Sequence, residues 1–592
     1  MTSQFASSSK SEINLKIFVV GASDCGIAFA EYLTSQSKST FGKFTNVTLI
    51  SSNGLPYKNK NSCLELKLIP FKGRYCYNYW QVNEERVTFN IIIGTVIDIN
   101  RKEKYISVKK LGNLKYDYLI LTCGVQFDKL KFWKKIEEEK EAETPINSLT
   151  INDEIEATVC VEILQKSTDN FKIQNSIVFY GNCIECFCTI NAFLEMGVKG
   201  SWITLIECDK VFFHDNEIDE TIIKEIINRG VKIISEWKIF DWELTTNSSG
   251  NWIIKSLEIE SNLEIQKIPC DILMNFSRKN IQLTNIMAFS RAGLVFNELL
   301  VIDAKNQTND PFIFAAGTVT KYSGKYMVNS IKMKYFNSLE IGEKFAINFI
   351  KIMESRLEEK EESTKFNTLP IFQIPNYISC ILPGGYYYLH IEKPGETNMI
   401  DNSEKNYGSI YKTGSCTSDI GYFKIRLNSS GFVKSVTCCS KKNFEIQRLK
   451  FLYEKHESLL NHLKNQFQNS LILDFYSYFQ EPWATAILTD NFQSFQIKNR
   501  EILLSKFSDR SQSLTEEIFN LIKDQDLSKE EREKIESDFL GSVYKKEIEK
   551  NLINFLQLFE NEFQMYCTPK KAREILMNFE NSPLFTSQRK KF

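Results

Sequence analysis

Two strand–glycine–helix signatures, about 160 residues apart, constrain this 592-residue chain more than any other feature. The first reads Ile17-Phe18-Val19-Val20-Gly21-Ala22-Ser23-Asp24-Cys25-Gly26, the second Ile177-Val178-Phe179-Tyr180-Gly181-Asn182-Cys183-Ile184-Glu185-Cys186. Each starts on an apolar strand, turns at a glycine and enters a helical pattern. Such a turn aims the free N–H groups of a helix at the carboxyl end of a strand, the physical basis of pyrophosphate binding. Each copy also has its own following strand, Val47-Thr48-Leu49-Ile50 and Trp202-Ile203-Thr204-Leu205-Ile206-Glu207. One copy alone would be weak; two in this arrangement predict a pair of Rossmann-like α/β domains.

The residues that would grip a cofactor have mostly been replaced. Gly21 suits the tight turn and Gly26 the close packing of helix on strand, but the middle glycine, which lets phosphate approach bare backbone, is Ser23. Its side chain is expected to intrude on the phosphate space. The strand that should end in an acid for the ribose hydroxyls ends in Ser51 and Ser52. In the second copy only Gly181 survives, with Cys183 and Cys186 at the other glycine positions, although Glu207 stands where a ribose-binding acid would.

Two later segments, Tyr116-Asp117-Tyr118-Leu119-Ile120-Leu121-Thr122-Cys123-Gly124 and Thr308-Asn309-Asp310-Pro311-Phe312-Ile313-Phe314-Ala315-Ala316-Gly317-Thr318, complete an ordered framework. In order and spacing, residues 13–350 resemble the pyridine nucleotide-disulfide oxidoreductase family, which implies an NAD-type domain nested inside an FAD-type domain. The family's aspartate that holds the flavin's ribityl chain is Thr318 here. A hydrogen bond to a charged group contributes roughly 1.5–3 kcal/mol, so losing carboxylates at Ser51 and Thr318 removes about 3–6 kcal/mol, or roughly 100- to 10,000-fold in affinity. The expectation is a degenerate cofactor site at Gly21, Ser23, Gly26, Ser51, Gly124, Gly181, Glu207, Gly317 and Thr318, with no tightly held cofactor. Residual binding of FAD or NAD(P) stays open.

Other chemistry is hard to find, and no catalytic residue is assigned. Cys183 and Cys186, with Cys188 beside them, have thioredoxin-like spacing at a helix start, where a thiolate is favoured. The plainer reading is that they fill former glycine positions as small apolar residues. His214, His390, His456 and His462 form no zinc motif with them. With 73 basic and 74 acidic residues the chain has no global field to recruit nucleic acid or an anionic membrane. Fifteen cysteines without a secretory signal, and no long uncharged apolar stretch, point to a soluble protein in a reducing compartment.

The chain is expected to divide into a disordered tail over 1–12, an FAD-type domain over 13–150 and 281–353, and a nested NAD-type domain over 151–280. A charged linker over 354–365, a β-rich module over 366–440 and a helical region over 441–592 follow. A helix over 331–353 closes the FAD-type lobe. Nothing beyond Lys365 reads as the dimerisation domain of the flavoenzymes. Capping boxes at Ser513–Glu516 and Ser528–Glu531 start later helices, and Ile548, Leu552, Phe555, Leu556 and Phe559 form an apolar stripe.

The segments Leu382-Pro383-Gly384-Gly385-Tyr386-Tyr387-Tyr388-Leu389-His390, Gly421-Tyr422-Phe423-Lys424-Ile425-Arg426-Leu427 and Tyr478-Phe479-Gln480-Glu481-Pro482-Trp483-Ala484 resemble the C-terminal half of the cilia- and flagella-associated protein 61 family. That family also has Ala-Ala-Gly-Thr where flavoenzymes have Ala-Ala-Gly-Asp, as at Ala315-Ala316-Gly317-Thr318. The resemblance implies an axonemal scaffold of the calmodulin- and spoke-associated complex at radial spoke bases. Its implied partners are cilia- and flagella-associated proteins 91 and 251, radial spoke proteins and the doublet microtubule, with neither nucleic acid nor membrane. Tyr387, Tyr478 and Trp483 are candidate partner anchors, since aromatic residues dominate interface energetics. Trp483 also reads as a core residue of a helical turn set by Pro482. Two competing readings are an FAD- or NAD(P)-dependent oxidoreductase and a nucleotide-sensing scaffold.

Overall fold

A computed structural model of the chain describes residues 12–35, 43–58, 67–73, 77–78, 87–129, 144–207, 213, 215–261, 264–327, 331–357, 368–395, 408–481, 484 and 492–506, with short pieces at 513, 516, 534, 537–539 and 541–558. Residues 1–11 of the expected tail, 358–365 of the expected linker, Trp483, Phe559 and the proposed cap at 528–531 lie outside these residues, and 354–357 of the expected linker are helical. Two compact units emerge. One comprises the chain to Arg426 together with 434–443, and the other 427–433 together with the chain from Phe444.

The first unit opens with β1 (Ile17–Val20), α1 (Asp24–Ser35), β2 (Val47–Ser51), β3 (Asn90–Ile93) and β4 (Tyr118–Leu121). Next come β5 (Ser148–Leu149), α2 (Glu154–Ser167), β6 (Ile177–Tyr180), α3 (Ile184–Met196), β7 (Ile203–Glu207), α4 (Asn216–Asn228), β8 (Lys232–Ser235) and β9 (Ile272–Asn275). The chain then returns through β10 (Ile313–Ala315) and α5 (Ser338–Leu357). The first sheet is ordered β10-β4-β1-β2-β3 and the second β5-β9-β6-β7-β8. Every pairing in both is parallel. Since Leu119 of β4 pairs with Ile313 of β10, the second sheet is inserted into the first.

Parallel sheets are covered on both faces, which is why β1, β4 and β9 are continuous buried runs rather than alternating ones. Helix α5 crosses α1, with Phe29 stacked on Phe345 at 4.6 Å. A Cβ on Gly342 would come within 2.3 Å of the Cys25 carbonyl oxygen, so the two backbones meet there. The expected helix over 331–353 starts later, at Ser338. Asn337 accepts bonds from the N–H groups of Leu339 and Glu340, and this cap, hidden by the apolar periodicity upstream, sets the true start.

The β-rich module is a five-stranded sheet: β11 (Asn376–Leu382), β12 (Tyr386–Glu392), β13 (Ile410–Thr413), β14 (Tyr422–Leu427) and β15 (Val433–Ser440), in the order β11-β12-β15-β14-β13. Gly384 (φ +89°) and Gly385 (φ +74°) turn the β11–β12 hairpin in a backbone region that favours glycine. Leu382, Tyr386, Tyr388, Tyr422 and Cys439 share one core with Phe187, Phe193 and Ile222 of the inserted lobe.

In the second unit, helices Phe492–Leu504 and Val543–Leu558 run antiparallel, as the pairs Phe495–Phe555, Asn499–Asn551 and Ser505–Tyr544 show. Phe555 of the expected stripe is buried, and Ile548 and Leu552 are half-buried. The cap at 513–516 is reciprocal: Ser513 N–H donates to the Glu516 carboxylate and Glu516 N–H to the Ser513 hydroxyl. Among the described residues, no helix is long and apolar enough to cross a membrane.

Candidate functional site

At the first signature the backbone has the expected form. Gly21 sits at φ +108°, and a Cβ there would lie 2.5 Å from the Cys123 Cα. Its N–H donates to the Ile50 carbonyl at 2.8 Å, fixing the turn between neighbouring strands. Gly26 is equally crowded, 2.4 Å from the Thr122 hydroxyl oxygen. What differs is the helix end. The Ser23 hydroxyl donates to the Thr122 carbonyl at 2.7 Å and accepts from the Gly26 N–H at 3.2 Å. Rather than only intruding on the phosphate space, Ser23 caps α1 and satisfies one of the N–H groups that a phosphate would use.

Asp24 adds a carboxylate to the first turn of the same helix. A phosphate about 4 Å from it would meet a repulsion on the order of 4 kcal/mol at surface-like screening. The helix dipole returns only about 0.3–1 kcal/mol. At the ribityl position, the Thr318 hydroxyl accepts from the Val125 N–H at 3.2 Å, and a Cβ on Gly124 would sit 3.2 Å from the same oxygen. Gly317, at φ +80°, faces Cys25. Ser51 closes β2, and its carbonyl accepts from the Gly94 N–H at 2.9 Å.

These residues line a cleft of about 380 Å³ at the carboxyl ends of the first sheet, where an open α/β sheet places its ligand. Asp24, Asp153, Glu154 and Glu185 line it against two ammonium groups, Lys72 and Lys279. Both ammonium groups bond the Glu185 carboxylate, at 2.8 and 2.9 Å. Asp153 caps α2 and also accepts from the Asn53 amide at 2.6 Å. A dinucleotide held in the manner of the flavoenzymes does not fit this set: carboxylates outnumber cations, and the residues at the cofactor positions bond the protein itself.

The inserted signature is closed by similar means. Gly181 (φ +133°) is pressed against Phe276, whose carbonyl oxygen a Cβ would approach to 2.4 Å. The Cys183 and Cys186 thiols point at the carbonyls of Phe276 and Gly181, at 3.8 and 3.6 Å, acting as donors. Burial, reinforced by the Glu185 carboxylate, pushes the Cys183 thiol well up. Both contacts favour thiol over thiolate and so oppose redox use. Glu207 ends β7 paired with Ser235, and its side chain lies outside the described residues. Glu185 occupies the first turn of α3, where a phosphate would sit. Burial raises the Glu185 pKa, but Lys279 and Lys72 outweigh it and hold the carboxyl well below the usual range.

Lys72 belongs to the stretch 67–73, which sequence reasoning passed over. Lys67 pairs with Glu195 at 2.8 Å, the Leu68 carbonyl accepts from the Thr189 hydroxyl at 3.2 Å, and Phe71 exchanges two backbone bonds of 2.8 Å with Ser379 of β11. The stretch thus ties the first lobe to α3 and to the β-rich module. An acid in the first turn of each signature helix, Asp24 and Glu185, was the readable signal. Among the candidate anchors, Tyr387 is half-buried in β12, paired with Ser440. Tyr478 is instead a core residue, 6% exposed, its hydroxyl donating to the Leu460 carbonyl at 2.7 Å; aromatic clustering with Phe475 and Phe479 removes it from the surface. Among the described residues, no group of three metal-ligating side chains is assembled.

Residues 15–333 match the family described as pyridine nucleotide-disulphide oxidoreductase, and residues 370–487 match the one described as CFAP61 dimerisation domain. A curated relative, cilia- and flagella-associated protein 61 of Tetrahymena thermophila, is 21% identical over 703 residues, covering 96% of this chain and 41% of the relative. The chain thus spans about two fifths of that relative's length. A ferredoxin reductase of Rhodopseudomonas palustris shares the fold alone, with a TM-score of 0.50 at 13% identity over 75% of this chain and 97% of its own. The match at 370–487 covers the β-rich module and the start of the helical region, the part of the chain whose aromatic segments carry the resemblance to that family.

Proposed function

This chain belongs to the pyridine nucleotide-disulphide oxidoreductase family, and from that premise we propose that it is a non-catalytic scaffold of a cilium or flagellum, built on a dinucleotide fold whose cofactor grips have been replaced. The chain is homologous to a cilia- and flagella-associated protein. The observation that carries the non-catalytic part is that Ser23 and Thr318, at two cofactor positions, spend their hydroxyls on Thr122, Gly26 and Val125. In finer terms, the scaffold belongs to the calmodulin- and spoke-associated complex at radial spoke bases. Its contacts are the partner subunits, spoke proteins and doublet microtubule implied by the family resemblance.

The test is flavin content. Protein purified gently from its own cells is expected to show no stoichiometric absorbance near about 450 nm. The double variant S51E/T318D, which restores the two carboxylates, should gain flavin affinity by roughly 100-fold or more. One-to-one flavin in the unaltered protein would overturn the reading. A second reading, a scaffold that senses a nucleotide, is favoured by the cleft of about 380 Å³, which remains large enough for a small ligand. A thermal shift with ADP or NADH separates the two.

A further inference from the structure

The cleft at the carboxyl ends of the first sheet differs in character from one side to the other. Sheet order β10-β4-β1-β2-β3 puts the Gly21 turn in the middle: Ser52 and Gly94 follow β2 and β3 on one side, and Gln126 and Thr318 follow β4 and β10 on the other. On the β2 side the wall is aliphatic, formed by the buried side chains of Ile50, Leu55 and Val96. Elsewhere three carboxamides line the cleft, Gln126, Gln282 and Asn285. Gln282 stands at the N-cap position of the helix Leu283–Arg291, yet its side chain makes no cap bond. Gln126 is held by its amide, which donates to the Cys123 carbonyl at 3.0 Å. That leaves its carboxamide oxygen buried and, among the described residues, without a donor. A buried acceptor is costly unless a donor meets it.

We propose that this cleft binds an uncharged nucleoside, with its base on the aliphatic wall and its hydroxyls among the carboxamides. The proposal rests on the second reading above, a small ligand held in the cleft, and narrows it to a ligand without phosphate. Three features select against phosphate. Ser23 occupies the Gly26 N–H at the helix entry, Asp24 adds a negative charge to the first turn, and both ammonium groups of the cleft already bond Glu185. Carboxamide and carboxylate oxygens accept from hydroxyl and amino groups, which a nucleoside carries without any charge of its own. The size agrees, since about 380 Å³ lies at the small end of the roughly 300–1,000 Å³ range of small-molecule pockets and suits a single nucleoside better than a dinucleotide.

Isothermal titration of the full chain compares adenosine with AMP, ribose and spermidine. Adenosine is expected to bind, AMP at least about tenfold more weakly through repulsion from the carboxylates, and ribose more weakly than adenosine for want of a base. The double variant Q282A/N285A alters two half-buried side chains outside the core. It should lose about tenfold in adenosine affinity and keep the melting temperature of the unliganded chain. AMP or ribose binding as tightly as adenosine, or spermidine binding in place of adenosine, overturns the proposal, and so does an unchanged adenosine affinity in the double variant. Failure of all four compounds to bind overturns it together with the second reading, whereas the scaffold reading falls only to bound flavin.

Discussion

At Glu185 one carboxylate answers two ammonium groups from different segments, Lys72 and Lys279, and sits on the first turn of a helix that favours negative charge. The lysine side chains are 43% and 37% exposed, so they return to water easily when the acid is removed. E185Q is therefore expected to cost about 1–2 kcal/mol in urea unfolding, below the roughly 3–5 kcal/mol of a fully buried pair. The pH dependence has a definite sign. A carboxyl held below its ordinary value of 4.5 adds stability above that pH and loses it as pH falls towards the folded value. Unaltered protein should weaken on acidification below about pH 4.5 more steeply than E185Q.

Asp219 has the opposite sign. Burial, with a contribution from Asp215, raises its carboxyl from 3.8 to about 6 despite a bond from the Phe213 N–H. Its contribution is fully present below 3.8 and is lost as pH rises through about 6. The full shift corresponds to about 3 kcal/mol, which screening at this half-buried position reduces to roughly 1 kcal/mol. D219N keeps the acceptor oxygen and removes the charge. It should be more stable than the unaltered protein by about that amount near pH 7 and show no gain near pH 3.5, measured by thermal unfolding at each pH.

Among the elements, the α1 entry separates what holds the turn from what held a cofactor. Gly21 meets the Cys123 backbone with no room for a Cβ, so G21A must displace a strand. A loss on the order of 3 kcal/mol or more, or failure to fold, is expected on heating. Ser23 only caps. S23A should cost about 1 kcal/mol and S23G a few tenths, and neither should move the sheet, as near-UV circular dichroism would show. The sequence showed the turn and the missing clamps, because glycine pattern and acid positions are local. It did not show that Ser23 turns back to Thr122, since the residues are 99 apart and meet only once β1 and β4 are paired.

For the whole molecule, the β-rich module is not an appendage. Tyr422 and Lys424 bond Asp215 at the cap of α4, Lys412 pairs with Glu217, and the Cys416 N–H donates to Glu217 at 3.0 Å. Lys424 and Tyr422 hold the Asp215 carboxyl low against the opposing effect of burial. Each large side chain buried here is worth roughly 1.5–3 kcal/mol. A chain ending at Lys365, at the end of the expected linker, cuts through a shared core. The fragment 1–365 is expected to be insoluble or protease-sensitive, while 1–443 stays folded in limited proteolysis. A soluble, protease-resistant 1–365 would show that the inserted lobe does not need the module.

The sequence by itself determined the two parallel sheets and the replaced cofactor positions, because glycine turns, apolar strands and acid positions are written within a few residues of each other; the nesting of one sheet in the other was implied only by the family resemblance. Tertiary structure alone decided that both signature helices are closed by the chain's own side chains. It also decided that the stretch 67–73 ties lobe to lobe, that Tyr478 is core, and that the β-rich module shares a hydrophobic core with the inserted lobe. Each of these depends on residues brought together across tens to hundreds of positions. No local pattern encodes such a pairing; the packing of completed sheets and helices does.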